Sequence, residues 1–545
     1  MATSKEPVDS AHLETAGVYP VVSNEVHEKG HAPNANAKGR DKAAEFLSQA
    51  GHPIVVTPEN DRRIARKVDM HLLPILLFVY CLQSLDKTTL SYASVFNLSQ
   101  DAHLEKTQFS WLGSVVYVAQ LVFQPVVAYT LVRFPIGKFL TVMVFCWGAV
   151  LCGMTAATNF GGLMAARLLL GAFESCVAPT FIAIIQMWYR RGEQTKRNAA
   201  WYATLGIVNI LGSLLTYGLG HINSPHLHSY QIIFLFCGLL TVVFSVIMFW
   251  FMPDSPMEAK FLNRDDKFLA VERLRMNQMG IGSGVWKWGH VWEALLDPKT
   301  WLWFFLMLII SIPSGGISTF GPLIIKSFVN DKFNTILFNM PFGAVQIIAT
   351  IGGAWLADRI GMKSVVLILL CLPPIAGLVV LHLVPRVPGN QGALLAGYYI
   401  ISVYPGISPL IYSWSSQNTG GDTKRKVTTA MLFIGASVGN IIGPQLFTEA
   451  EAPRYERGLR VNLALFVVLA ALILIGMGLI TLLNRRQAAK RKTMGKSEQI
   501  VDLSMRKHSK SNHEADAINQ AGDSTGANAF EDTTDMKNED FIYVY

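Results

Sequence analysis

Residues 72–96 read Leu72-Leu-Pro-Ile-Leu-Leu-Phe-Val-Tyr-Cys-Leu-Gln-Ser-Leu-Asp86-Lys87-Thr-Thr-Leu-Ser-Tyr-Ala-Ser-Val-Phe96. Such a run crosses ~30 Å of hydrocarbon, for which about 20 apolar residues suffice. Opposite charges nonetheless stand side by side within it. A charge at the centre of a membrane helix costs about 2.5–3.5 kcal/mol on insertion scales, so the pair predicts a helix face turned away from lipid. A second apolar stretch repeats the device with Arg167 and Glu174. Four such charges facing lipid would cost on the order of 10 kcal/mol, so the spans carrying them should surround a hydrated cavity, the outline of a transporter.

Outward from this stretch, the chain of 545 residues is 51% hydrophobic and only 15% charged, whereas a soluble domain carries about 25% charged residues. Windows of membrane-span length fall at 70–96, 110–131, 137–157, 161–186, 199–220, 230–252, 301–325, 335–357, 364–385, 391–414, 428–447 and 460–483, identified by sustained hydropathy. None alternates in the manner of barrel strands. The fold class expected is therefore an all-α membrane protein. The net charge of +8 needs no nucleic acid to explain it, because the basic residues gather on alternate loops. Arg62, Arg63, Arg66 and Lys67 precede the first span, Arg190, Arg191, Lys196 and Arg197 follow the fourth, and Lys424, Arg425 and Lys426 follow the tenth. The positive-inside rule then predicts that both termini are cytosolic. The six cysteines all lie in apolar spans, which indicates no disulfide framework. No basic stretch followed by a short apolar one precedes the first span, so that span is expected to act as the insertion signal.

The composition divides the chain into a disordered cytosolic tail (1–65), a first six-helix bundle (66–252), a cytosolic central loop (253–300), a second bundle (301–484) and a second disordered tail (485–545). Within the central loop, Phe261, Leu262, Phe268, Leu269, Val271 and Leu274 recur at helical spacing among charges, which predicts a short amphipathic helix on the inner membrane surface. The halves echo one another: Thr195-Lys196-Arg197 after the fourth span reappears as Thr423-Lys424-Arg425 after the tenth, and Arg133 after the second as Arg359 after the eighth. Parallel repeats about an axis along the membrane normal produce such echoes.

The loop Gly353-Ala-Trp-Leu-Ala-Asp358-Arg359-Ile-Gly361-Met-Lys363 resembles the G-x-x-x-D-R-x-G-x-K signature of the major facilitator superfamily, with Ala354 where the first glycine would stand. Its first-half counterpart, Arg133-Phe-Pro-Ile-Gly137-Lys138, lacks the acid. Longer stretches resemble the fungal allantoate permease family of anion:cation symporters. They are Arg66-Lys-Val-Asp69-Met-His-Leu-Leu-Pro74 running on to Leu85-Asp86-Lys87-Thr-Thr-Leu-Ser-Tyr92-Ala, Arg167-Leu-Leu-Leu-Gly171-Ala-Phe-Glu174 with Pro179, and Trp188-Tyr189-Arg190-Arg191-Gly-Glu193-Gln194 with Arg197. To these are added Pro253-Asp254-Ser255-Pro256 with Asp297-Pro298-Lys-Thr-Trp301, and Gly443-Pro444-Gln445 with Ala452-Pro453-Arg454-Tyr455. The resemblance covers about residues 60–484. It implies the major facilitator fold, twelve transmembrane helices in two pseudo-symmetric six-helix bundles. It also implies proton-coupled uptake of a small carboxylate, such as allantoate, a vitamin acid, an amino acid or a short peptide.

Lys87 or Arg167 is the expected receptor for a substrate carboxylate, through charge-assisted hydrogen bonds, and Asp86 or Glu174 the expected proton carrier; a permanent salt bridge among them is the alternative. Gln120, Gln124, Asn209, Gln346, Tyr404, Tyr412 and Trp414 are candidate cavity walls, although lone polar groups in membrane helices commonly serve interhelical packing. Pro313-Ser-Gly-Gly316 and Pro405-Gly406 weaken helical hydrogen bonding and offer bending points. Asp358 and Arg359 are expected to form a cytosolic latch with Glu193 and Arg197. His27-Glu28-Lys-Gly-His31 matches H-E-x-x-H, but Gly30 and Pro33 interrupt the helix that zinc chemistry requires. His221, His226 and His228 read as solvated, and Asn97-Leu-Ser99 as a glycosylation acceptor close to the membrane. No cofactor, metal or catalytic constellation is indicated, so no enzyme is expected. The leading expectation is a monomeric plasma-membrane symporter for a small organic anion and a proton. Alternatives are a proton antiporter exporting a metabolite or drug, and a nutrient-sensing receptor. The fifth span, with Gly206, Gly212, Gly218 and Gly220, lacks the glycine-proline spacing of exporters.

Overall fold

The computed structural model describes residues 42–50, 54, 56–95, 104, 106–220, 222, 227–277, 283–326, 332–446, 454–498, 502–505 and 532–545. His27, His31, Asn97, His221 and His226 lie outside the described residues. Twelve long helices carry the fold: α1 Pro58–Val95, α2 Lys106–Arg133, α3 Ile136–Gly153, α4 in two pieces (Phe160–Glu174 and Val177–Trp188), α5 Arg191–Gly220 and α6 Ser229–Phe251. The second half repeats them as α7 Pro298–Lys326, α8 Lys332–Ile360, α9 Lys363–Leu383, α10 in two pieces (Gln391–Ile401 and Ile407–Gln417), α11 Asp422–Gln445 and α12 Glu456–Thr493. Among the described residues, 11 of these are long and apolar enough to cross a membrane, and α5, at 30 residues, completes the twelve.

The packing is pseudo-symmetric. α1 packs on α5 as α7 does on α11, α2 on α4 as α8 does on α10, and α3 on α6 as α9 does on α12. The most extensive contacts between the halves are α5 with α8 and α2 with α11, and α10 also meets α4 and α5. Small residues permit the closest crossings, as membrane helices require in the absence of a hydrophobic drive between them. A Cβ on Gly206 would stand 2.4 Å from the Gly343 carbonyl, and one on Gly443 would stand 2.3 Å from the Ile312 carbonyl. Large apolar side chains face outward, among them Phe249, Trp250 and Phe251 on α6 and Val467, Leu474 and Ile475 on α12, as lipid-facing surfaces do.

The segment leading into α1, residues 532–545 and the connection between α6 and α7 meet on one side of the molecule, termed here the tail face. The echoed tripeptides fall within the first two turns of α5 and α11, equivalent helices of the two halves. Gly361, at φ +77, takes the left-handed conformation that ends α8 and lets α9 begin two residues later.

Three expectations are corrected. α1 starts at Pro58, inside the stretch expected to be a tail, because Asp61 on its first turns is buried against Arg190 and Arg273. The helix Arg264–Glu272 does form, but its apolar side lies against protein: Phe268 stacks on Phe46 at 4.6 Å, and Asp266 receives Arg63 and Lys67. Instead, the helix Trp288–Leu296 presents an exposed apolar stripe of Trp288, Trp292 and Leu296. Finally, the polar region after 485 is not wholly without structure, since α12 runs on to Thr493 and residues 532–545 pack against the tail face.

Candidate functional site

The interruption of α4 follows directly from its sequence. Pro179 has no N–H to give the Ser175 carbonyl four residues earlier, and the helix breaks at Ser175–Cys176. Amides from neighbouring helices take the freed carbonyls: Gln124 of α2 donates to the Ser175 oxygen at 3.1 Å, and Gln83 of α1 to the Glu174 oxygen at 3.3 Å. Glu174 is thereby fixed at the break, in the middle of the first bundle.

Around it stand the other three charges read from the sequence. Asp86, Arg167 and Glu174 are each at most 3% exposed. Asp86 and Glu174 both interact electrostatically with Arg167, and Lys87 interacts with Glu174. Asp86 accepts a 2.6 Å hydrogen bond from the indole of Trp147 on α3. Among the described residues, neither carboxylate oxygen of Glu174 has a hydrogen-bond donor, and Nε and Nη2 of Arg167 have no acceptor. Half-buried Lys87 lies 5.8 Å from the centre of the Tyr117 ring. Two acids and two bases balance in charge, as buried ions must, yet hydrogen-bonding capacity on both signs stays open. Chemically, such an arrangement can accept an anion on its cations and a proton on a carboxylate.

The expected polar walls divide. Gln124 is used at the α4 break, and Gln120 is half-buried on the same helix. Asn209 of α5 donates to Gln346 of α8 at 2.9 Å, joining the halves beside the Gly206–Gly343 crossing. Tyr412 packs face to face with Trp201 at 5.8 Å and edge-on to Tyr202, so α10 meets α5 through aromatic rings. Tyr404 is buried in the 3-10 turn Tyr404–Gly406, where Pro405 breaks α10. α7 stays helical through Pro313–Gly316. Trp414 is corrected: it lies in the last turn of α10 at the tail face, beside Trp303, with its indole donating to the Val544 carbonyl at 2.8 Å.

The latch also differs from expectation. Asp358 bridges the halves, but to Lys196 at 2.9 Å, and exposed Arg359 lies over the Trp355 ring. Glu193 pairs with Arg273 through both carboxylate oxygens, and Arg197 with Asp69, all within the first half and its following connection. Burial alone would lower the Arg273 guanidinium, but Glu193 and Asp61 hold it above its ordinary value. The junction between bundles is instead made by amides and hydroxyls. Gln186 donates to the Ser416 carbonyl, Asn198 to the Ser413 hydroxyl at 2.9 Å, and Arg191 and Gln417 exchange bonds with each other's backbone oxygens. The tail face is closed. Reading the sequence missed Trp147, Gln83 and Tyr117; an indole, an amide and a phenol in apolar spans carry no pattern that singles them out.

Residues 76–444 match the sequence pattern of the Major Facilitator Superfamily. The thiamine pathway transporter THI73 of Saccharomyces cerevisiae is 36% identical over 394 residues, covering 72% of this chain and 75% of that protein. Allantoate permease of the same yeast is 28% identical over 496 residues, covering 89% and 88%. Among solved structures, the proton:xylose symporter XylE bound to 6-bromo-6-deoxy-D-glucose superimposes with a TM-score of 0.58 at 14% identity, covering 76% of this chain and 95% of that one. At that identity the likeness concerns the fold.

Proposed function

This chain belongs to the Major Facilitator Superfamily, and we propose that within it the protein imports a small organic anion together with a proton. It is a multi-pass membrane transporter and not an enzyme. One observation carries the reading of cargo and coupling: Glu174 is buried without a hydrogen-bond donor for its carboxylate, beside Arg167 with open N–H groups and Lys87 with no salt bridge among the described residues.

The sequence of events follows from competition for the cations. With the site empty, Arg167 and Lys87 balance Glu174 and Asp86. A carboxylate entering from the face opposite the tails takes donors on Arg167 and Lys87 as charge-assisted hydrogen bonds. Glu174 then loses its counter-charge in a dry setting, where an unpaired ion is costly, and a proton restores the balance. Asp86 is held by Trp147 and stays a fixed counter-ion. Substrate and proton thus load together, and the bundles rock about the loaded site. The basic loops support a cytosolic tail face under the positive-inside rule, and the reading is of a plasma-membrane protein that works as a monomer. The kinship with allantoate permease supports a small carboxylate, and the fold shared with a proton symporter accommodates the coupling.

The test is uptake of labelled small carboxylates, allantoate among them, into cells or proteoliposomes at outside pH 5 and 7.5. Uptake should be faster at the lower pH. Glu174→Gln should remove that pH dependence while retaining exchange of preloaded substrate, and Arg167→Ala and Lys87→Ala should abolish binding. Uptake of an acid that is indifferent to pH and to Glu174 overturns the coupling.

A further inference from the structure

Residues 532–545 are polar at their start and end in Phe541-Ile-Tyr-Val-Tyr545. They are held at the closed tail face by more contacts than a passive tail requires. Asp535 is fully buried, ion-paired to Lys299 at the start of α7 and to Lys424 at the start of α11, and accepts from the Gly420 N–H and the Tyr543 hydroxyl. Asp532 accepts from the Asp422 N–H at 2.6 Å and pairs with Lys287 at 2.7 Å. Further along, the backbone is clipped by side-chain amides. Asn484 of α12 exchanges two hydrogen bonds with Tyr543, and Asn418 after α10 exchanges two with Val544. The Tyr545 oxygen accepts from the Lys363 N–H at the first residue of α9.

All of those anchors belong to the second bundle or the connection that leads into it. Arg191, at the first residue of α5, belongs to the first. Its guanidinium donates to the Ile542 carbonyl at 2.8 Å and lies 4.9 Å from the centre of the Phe541 ring. A cavity of about 270 Å³ beside this point is lined by Gly192 and Thr195 of the first bundle, Asp358 and Lys363 of the second, and Ile542 to Tyr545. The segment therefore spans the seam that must part when the tail face opens.

We propose that residues 532–545 form an intramolecular strap that holds the tail face shut by clipping Arg191 of the first bundle to the ends of α9, α10 and α12, and that its release sets how often that face opens. The proposal rests on the alternating-access reading above for its consequence, though not for its contacts. Burial alone would push the Asp535 carboxyl up, but Lys299 and Lys424 keep it well below the usual carboxylate range. The strap thus remains ionised and clamped at neutral pH, and its release needs a competitor for these contacts.

The experiment uses purified full-length protein in lipid nanodiscs, where both faces are accessible and membrane orientation is irrelevant. A single cysteine replaces Ser416, buried at the seam, in a background lacking the native cysteines, and its rate of reaction with a maleimide is measured. Deleting 532–545 should raise that rate by on the order of tenfold, since roughly 1.4 kcal/mol in an opening equilibrium is tenfold. Phe541→Ala, which leaves every ion pair in place, should raise it by a smaller factor. A synthetic peptide of residues 532–545 added to the deleted protein should slow labelling again, and a scrambled peptide should not. If both folded variants label at the rate of the full chain, or if the peptide has no effect, the strap is a packing element and the inference falls. Labelling needs no substrate, so a protein that fails to import carboxylates but responds to the strap loses the functional reading and keeps this one.

Discussion

In the proposed coupling, Trp147 is the side chain that distinguishes the two buried acids. Its indole N–H reaches Asp86 at 2.6 Å, and Trp147 is itself wholly buried. Glu174, by contrast, has no donor among the described residues. A hydrogen bond to an ionised group contributes about 1.5–3 kcal/mol, and on the proposed reading this bond biases Asp86 toward the counter-ion role and leaves Glu174 as the proton carrier. Trp147→Phe keeps most of the ring and removes only the donor. The variant should fold and reach the membrane, and its uptake should fall roughly tenfold or more, in line with the lost bond. The rise of uptake with acidity should also move along the pH axis, because two acids would then share the proton. Initial rates across outside pH from 5 to 8 check this, and an unmoved profile assigns Asp86 to packing alone.

At the scale of helices, the tightest seam is α7 against α11. Gly435, Gly439 and Gly443 recur every four residues, and a Cβ on any of them would come within 2.5 Å of an α7 carbonyl. Overpacking of this kind costs about 1–3 kcal/mol. Gly443→Ala should therefore lower the melting temperature in detergent, while Gly478→Ala on α12, with nothing within 4 Å, should leave it unchanged; equal melting of both would remove the steric argument. These elements also mark what could be read from the sequence. The four intramembrane charges and the helices bearing them were legible because a charge among apolar residues is costly wherever the fold puts it. The break in α4 was legible in principle from Pro179. The pairs Glu193–Arg273 and Arg197–Asp69 were not, because residues 80 and 128 apart meet through packing that no local pattern encodes. Residues 532–545 misled for a physical reason: acids that read as solvated, Asp532 and Asp535, are buried against basic ends of distant helices. Their signal was the apolar run Phe541–Tyr545 closing a polar stretch.

For the whole molecule, the closed tail face fixes which half of the cycle is represented. Asn198 to Ser413, Gln186 to Ser416 and the Arg191–Gln417 exchange all cross from the first bundle to the second near the ends of α4, α5 and α10. The Lys196–Asp358 pair joins the same seam, but Lys196 is half exposed, and exposed pairs contribute only about 0–1 kcal/mol. The buried amide contacts and the Trp201–Tyr412 stack therefore dominate this closure. A transporter that alternates access must break them in every turnover, so a covalent bond placed there should stop transport without unfolding the protein. Cysteines replacing Asn198 and Ser413, whose side chains meet at 2.9 Å, should cross-link under mild oxidation in a background free of native cysteines. Uptake should fall to the level of empty vesicles and return on reduction, while a labelled carboxylate should still bind from the face opposite the tails. Cross-linked protein that goes on transporting would mean that the tail face does not open between the bundles, and that substrate leaves by another route.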